Sequence, residues 1–392
     1  MADIEADVII VGSGISGALL AAKLSYAGVK VAILEAGPKV DRGQAMQRFW
    51  DAPIRVLECP YPPSPQANHP ISNDPDYWYR QIGPNKFKST YLKVVGGTTW
   101  HWLGTCLRFV PNDFRLSTVY GRGVDWPVTY DDLEPFYSHA EDEVGVSGDS
   151  NETLGSPRST GYPMPAIPQT FMDQAYARAL VGTQFEVRAT PQARNSAARD
   201  ERPACCGSAS CIPICPVQAK YDATTAAADL ARLGLRGPAL DDALRTQACR
   251  QLHLTSLIEQ LPDPQNRVTL DPTDLDIYGV PLPRLAYSLG TYVEAGLAAA
   301  RDAHAEIFGR LDATEIQHRD VAEGAGHIIG TARMGSDPTS SVVDRDLRSH
   351  DHPNLFILGS AVFPTSATAN PTLTVAALSL RAADQVKATL TH

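Results

Sequence analysis

The apolar positions of this chain form a few short, well-separated patterns. Residues 7–11 (Asp-Val-Ile-Ile-Val) are an almost unbroken apolar run that stops at Gly12. A run of that length predicts a strand buried on both faces, as in a parallel sheet. Residues 18–26 are good helix formers that stop at Gly28, and residues 31–34 are a second apolar run ending at Glu35. The order is strand, helix, strand. Residues 131–144 have helical spacing, with Leu133, Phe136, Tyr137 and Ala140 on one face. Further on, 268–270 and 284–287 predict strands, 292–311 an Ala-rich helix, 354–359 a strand and 373–387 a closing helix. Residues 222–250 are helical in character, broken at 234–238. Residues 40–90 have little periodicity and predict loop with a short helix. There is no internal repeat and no low-complexity tail.

Composition narrows the class. With 43% hydrophobic and 20% charged residues, the 392-residue chain has an ordinary globular make-up, long enough for two or three domains or one large one. A net charge of −10 argues against nucleic acid and against a polybasic membrane surface. No apolar run reaches the roughly 18 residues a bilayer span needs. The opening Met-Ala-Asp-Ile-Glu has neither the basic nor the apolar region of a signal peptide. Prolines gather at 60–75 and 162–168, which predicts extended loops suited to wrapping a cofactor or lining a domain seam.

Two motifs carry chemistry. Gly12-Ser13-Gly14-Ile15-Ser16-Gly17 lies where the first strand becomes the helix, the context a dinucleotide fingerprint requires. Gly12 makes the tight turn, Gly14 admits the pyrophosphate to the backbone, and Gly17 lets helix and strand pack closely. The helix N-terminus offers unpaired N–H groups to phosphate. Glu35, eighteen residues beyond Gly17, ends the second strand where a carboxylate accepts from ribose hydroxyls. The alternative is a tight turn only, which both strands and the acid argue against. The second motif is Cys205-Cys206, Cys211 and Cys215-Pro216, four of seven cysteines within eleven positions. The C-x₃-C-P ending matches part of a ferredoxin run, whose thiolates hold iron–sulfur clusters. Cys205, Cys211 and Cys215 are spaced like ligands, leaving Cys206 packed or spare. Structural zinc prefers paired knuckles, and a disulfide framework suits small secreted domains; both stay open as alternatives. A dinucleotide beside a cluster would divide two-electron chemistry into one-electron steps.

Three separated blocks resemble the glucose–methanol–choline oxidoreductase family: 8–17 with Glu35, then Gly96-Gly97-Thr98-Thr99-Trp100-His101-Trp102, then 327–335 through Asp344 to Asn370. With the cysteine segment the chain looks like the catalytic subunits of bacterial membrane-linked sugar, polyol and gluconate dehydrogenases. The resemblance spans nearly the whole chain. It implies an α/β fold: a Rossmann-like FAD-binding domain with a smaller, shortened α+β substrate domain. The expected organisation is 1–40 as the first βαβ unit, 41–190 as loops and helices around FAD with part of the substrate domain, 191–222 as the cluster segment, 223–320 as the shortened substrate region, and 321–392 as the catalytic His segment returning to the FAD domain.

The same resemblance implies FAD and a three-iron, four-sulfur cluster. It implies His327 as the base that takes the hydroxyl proton during hydride transfer, with Asn370 as the second catalytic position. An amide there can hydrogen-bond the substrate oxygen but cannot take its proton. It brings Gly96, Gly97, Thr98, His101, Ser360, Ala361, Asn370 and Thr372 to the flavin, and in some relatives the residue matching His101 is bonded to the ring. Surface or packed histidine, an aromatic cluster at Trp100–Trp102, and a turn before Pro371 are the plain alternatives for these residues. Two departures stand out. The chain lacks about one small domain near 233–237, and Gly359 stands where many relatives carry Asp. Expected partners are a sugar or polyol substrate, a small chaperone-like subunit carrying the export signal, and a cytochrome c subunit or other acceptor. The expected location is the periplasmic side of the inner membrane, with the cytoplasm as alternative. An electron-transfer subunit without its own substrate, and an oxygen-using flavin oxidase, are the competing functions.

Overall fold

The computed structural model describes residues 5–52, 60–61, 79–85, 87, 92–208, 210–224, 254–276, 279–313, 316, 318, 322 and 324–390. Strand β1 (Val8–Val11), helix α1 (Ile15–Tyr26) and strand β2 (Val31–Leu34) form the predicted βαβ unit. The strands pair in parallel, with Val8 opposite Val31 and Val11 opposite Leu34. One expectation is corrected here. Ile10 is buried against α1, but Ile9 is 65% and Val11 84% exposed, so β1 is covered on one face only. Among the described residues this sheet has two strands, and nothing packs on its outer face.

Helix α2 (Arg42–Asp51) starts where the Asp41 carboxylate accepts from the Gln44 N–H. Strand β3 (Arg80–Gln81) and short helix α3 (Leu116–Tyr120) lead to α4 (Tyr130–Val144). A capping box fixes the start of α4: Asp132 N–H donates to Thr129 Oγ1 and Thr129 N–H donates to Asp132. Gly145, at φ +70°, ends it. The predicted face is confirmed, with Leu133, Tyr137 and Ala140 buried and Phe136 packed beside them. Strands β4 (Ser147–Gly148) and β5 (Met164–Pro165) pair, and α5 (Phe171–Ala179) follows.

The second half supplies an antiparallel pair, β6 (Arg267–Leu275) and β7 (Pro281–Ala286), with β3 parallel on the far side of β7. Helices α6 (Thr291–Arg310) and α7 (Thr372–Leu390) complete the described elements. Helix α7 packs against both α1 and α4 and is the centre of the core. Its small and apolar residues let three helices approach closely, and its two buried hydroxyls are paired. Thr374 meets the Tyr137 hydroxyl at 2.7 Å, and Ser379 donates to the Val375 carbonyl.

The expected strand at 354–359 does not form. Arg348 bridges Phe356, and the Ile357 N–H donates to the Leu347 carbonyl, so this segment pairs with its own neighbouring loop and not with β1. The helical expectation for 222–250 and the chain junction at 233–237 lie almost wholly outside the described residues. No described helix is long and apolar enough to cross a membrane.

Candidate active site

The dinucleotide cradle is built by two motif blocks, 8–17 with Glu35 and the Gly96–Gly97 turn, meeting at Ser13. The Glu35 carboxylate accepts from Ser13 N–H at 2.9 Å, from Ser13 Oγ at 2.6 Å and from Gly37 N–H at 2.7 Å. Ser13 Oγ in turn accepts from Gly96 N–H at 3.0 Å. Burial alone would raise the Glu35 pKa, but the Ser13 and Gly37 hydrogen bonds outweigh it and hold the carboxyl below its usual range. A Cβ on Gly17 would lie 2.1 Å from the Gly12 carbonyl, so only glycine lets α1 close on the turn. A Cβ on Gly97 would come within 3.2 Å of Gly14, so the Gly96–Gly97 turn rests directly on the fingerprint. Beside Gly12 and Gly14 themselves there is open space, as the approach of a pyrophosphate requires. These residues fit a dinucleotide. Sequence motifs marked the glycines and Glu35 but not Ser13, which links them; its place between Gly12 and Gly14 was the available signal.

Thr98 holds the next turn: its side chain accepts from Leu92 N–H and its carbonyl from His101 N–H. The His101 imidazole is buried, 6.1 Å from the Tyr61 ring.

The second half of the site comes from the C-terminal third. Residues 330–334 run beside 360–362 through three hydrogen bonds: Gly330 N–H to Ser360, Ala332 N–H to Ala361 and Met334 N–H to Val362 carbonyls. Ser360 Oγ also donates to the Ile328 carbonyl. This ladder fixes His327, while Asn370 immediately precedes Pro371 and Thr372, the first residue of α7. The two predicted catalytic residues, 43 positions apart, meet: Asn370 Nδ2 lies 3.2 Å from His327 Nε2. Burial lowers the His327 pKa, so the ring is neutral at neutral pH and its Nε2 can accept. Gly359, at φ +94°, passes the first turn of α1; a Cβ there would face Ser16 Oγ at 3.9 Å. The ladder carrying His327 therefore adjoins the cradle.

The cysteine segment is a loop. Cys205 Sγ accepts from Gly207 N–H at 3.5 Å and Cys211 Sγ from Arg194 at 3.3 Å. Cys215 is buried and Cys206 exposed. No three His, Cys, Asp or Glu side chains among the described residues converge closely enough to hold a metal ion. In this conformation Cys205, Cys211 and Cys215 therefore do not close a ligand set. The loop is instead tied to its surroundings by residues the sequence did not flag. Lys220, 1% exposed, donates to the carbonyls of Trp100, Trp102 and Cys211, and burial pushes its ammonium down to about 8. Arg42 pairs with Asp222, donates to the Cys215 carbonyl and lies 4.4 Å over the Trp100 ring.

Known proteins place this geometry. Residues 262–379 match the model of the GMC oxidoreductase C-terminal region, described as GMC oxidoreductase, and residues 10–46 that of an NAD(P)-binding Rossmann-like domain. Fructose dehydrogenase large subunit of Gluconobacter japonicus is 30% identical, with 98% of each chain covered. Gluconate 2-dehydrogenase flavoprotein of Pantoea cypripedii is 26% identical over 49% of this chain and 36% of its own. Among solved structures, pyridoxine 4-oxidase from Mesorbium loti shares the fold, with a TM-score of 0.53 at 15% identity over 98% of this chain and 99% of that one. The alignment to fructose dehydrogenase runs over 533 positions against 392 residues here, so at least 141 (533 less 392) have no counterpart in this chain. That deficit is the size of a small domain. From cradle to closing helix, this chain belongs to the GMC oxidoreductase family.

Proposed function

We propose that this protein is an FAD-dependent dehydrogenase that oxidises an alcohol group of a sugar, polyol or aldonate. The observation that carries this is the His327–Asn370 pair, 3.2 Å apart, on a ladder that adjoins the dinucleotide cradle. FAD, when bound, supplies the hydride acceptor. Gly12, Gly14, Gly17 and Glu35 would hold it, with Gly96, Gly97, Thr98, Ser360, Ala361, Asn370 and Thr372 alongside. An alcohol oxygen facing both side chains would take the place of Asn370 at His327 Nε2, lose its proton to that nitrogen and accept from Asn370 Nδ2. Base and orienter are thus distinct roles. Attachment of the flavin to His101 is a further part of the proposal. Acid precipitation should then leave yellow colour in the protein pellet, and His101→Ala should release it.

The relatives' names support the substrate class: one acts on fructose, another on gluconate. A protein named as a large subunit works with others, which supports a cytochrome c or other acceptor, a small chaperone-like subunit, and a peripheral position at the periplasmic side of the inner membrane. A cytoplasmic position is the alternative. The path to that acceptor would be a three-iron, four-sulfur cluster on Cys205, Cys211 and Cys215. It rests on cysteine spacing and requires the three thiols to draw together on iron. Reconstituted protein should lose iron on replacing any of these by Ser, and keep it in Cys206→Ser.

One observation favours a second function, electron transfer without a substrate. Of the substrate-side elements, β6 is almost wholly exposed and α6 buries only Val293, and a domain's length of the relative is absent. Anaerobic titration of the FAD-loaded protein with fructose, glucose, sorbitol and gluconate separates the two. Bleaching of the flavin by any of them supports the dehydrogenase. A flavin that stays oxidised with all four leaves the electron-transfer role.

A further inference from the structure

Lys220 is a buried cation that no catalytic step uses. Its ammonium has three acceptors, Trp100 O at 2.9 Å, Trp102 O at 2.8 Å and Cys211 O at 2.7 Å. An ammonium has three N–H donors, so the set is filled. The acceptors come from two loops more than a hundred residues apart in sequence: the turn that carries His101, and the loop that carries Cys211 and Cys215. Nearby bonds join the same pair. Trp102 Nε1 donates to the Tyr221 carbonyl at 2.8 Å, and Ala223 N–H donates to Thr99 Oγ1 at 2.9 Å. Those bonds flank the contact, whereas Lys220 reaches Cys211 itself and both neighbours of His101. Its stem packs within 3.4 Å of where a Gly104 side chain would begin, so the ammonium has little freedom to choose other partners.

We propose that Lys220 is a positioning residue that pins the His101 turn to the cysteine loop and sets the two at one fixed spacing. This rests on the reading in which one loop faces flavin and the other takes the cluster. The pin itself is a property of the chain without either group. Removing the ammonium leaves one buried and two part-buried carbonyls without their donor, which releases both loops together. A residue important for the packing of one loop alone would release only that loop.

The test is amide hydrogen exchange on the full chain, wild type against Lys220→Met and Lys220→Arg, read by mass spectrometry over residues 97–104 and 205–219. Met keeps length without charge or donors; Arg keeps both. Helices α4 and α7 serve as the internal standard. In Lys220→Met, exchange should rise about tenfold or more in both stretches together, as expected when a charged, multiply bonded contact is lost. Lys220→Arg should stay within about threefold of wild type. A rise confined to one stretch, no rise, or equal behaviour of Met and Arg would overturn the proposal. If Lys220→Met does not fold, Lys220→Arg decides: protected loops support the pin, and exposed ones overturn it. None of these readings depends on sugar oxidation. Failure of the pin and failure of the dehydrogenase reading are therefore told apart by the flavin titration above.

Discussion

Helices α6 and α7 have almost the same length and opposite fates. Of the 19 residues of α7, 12 are buried; of the 20 in α6, only Val293 is. Both are rich in Ala, so helix propensity does not separate them. What separates them is company. Helix α7 lies between α1 and α4 and carries a contiguous core running through Phe109, Phe114, Trp126 and Phe363. Helix α6 follows β6 and β7, and the apolar residues Val268, Leu270 and Leu275 of β6 are exposed. Among the described residues the outer face of β1 and β2 is bare in the same way, with Ile9, Val11 and Leu34 exposed. One region closes on itself, and the other presents apolar surface. Most helical stability in proteins comes from such packing, so the two helices should differ in nearly every measurable property.

The largest expected effect lies at the active site, which draws on the closed region through the start of α7. His327→Ala should slow flavin reduction by sugar by roughly 10²–10⁴-fold while leaving FAD content unchanged. Rapid-mixing absorbance of the flavin measures it. Equal rates in the two proteins would remove His327 from the mechanism. Next in size is a matched pair of truncations. Leu378→Ala, in the buried part of α7, should cost about 2–5 kcal/mol in urea unfolding. Ile307→Ala, on half-exposed α6, should cost less than about 1 kcal/mol. Similar costs would break the comparison.

Glu35→Gln probes the cradle. It keeps the shape but removes the charge that Ser13 and Gly37 stabilise, and should weaken FAD binding by about 1–3 kcal/mol in equilibrium dialysis. The smallest effect is in pH. Because burial lowers the His327 pKa, the ring is protonated and inactive only at acid pH. The rate should therefore rise with pH through a midpoint below the ordinary histidine value and be flat around neutrality. A midpoint above that value would contradict the buried, neutral base.

Much of the closed region was legible in the sequence. Strands β1 and β2, α4 and α7 follow from apolar spacing because their patterns are local. The His327–Asn370 meeting was legible only as motif resemblance, since no periodicity spans 43 residues. The one-sided exposure of β1 was not legible. Its unbroken apolar run is the pattern of a strand covered on both faces, and among the described residues only one face is covered. The strand at 354–359 failed for a related reason. Its apolar residues suit a sheet, but Ile357 finds its backbone partner in Leu347 and the two-stranded sheet does not extend to it. Lys220 carried no signal because a lysine is most often solvated. Only the fold shows three carbonyls converging on it.

The comparison is tested most directly by limited trypsin digestion of the native chain, with the order of cleavage read by mass spectrometry. Arg301 and Arg310 lie exposed on α6, while Arg381 on α7 is 8% exposed and bonded to Asp346 and the Arg345 carbonyl. Cleavage in a helix needs local opening, and opening is cheap where little is buried. The account predicts early cuts after Arg301 and Arg310 while Arg381 survives in a large resistant fragment. Equal resistance at all three sites would contradict it, because α6 would then be held as firmly as α7.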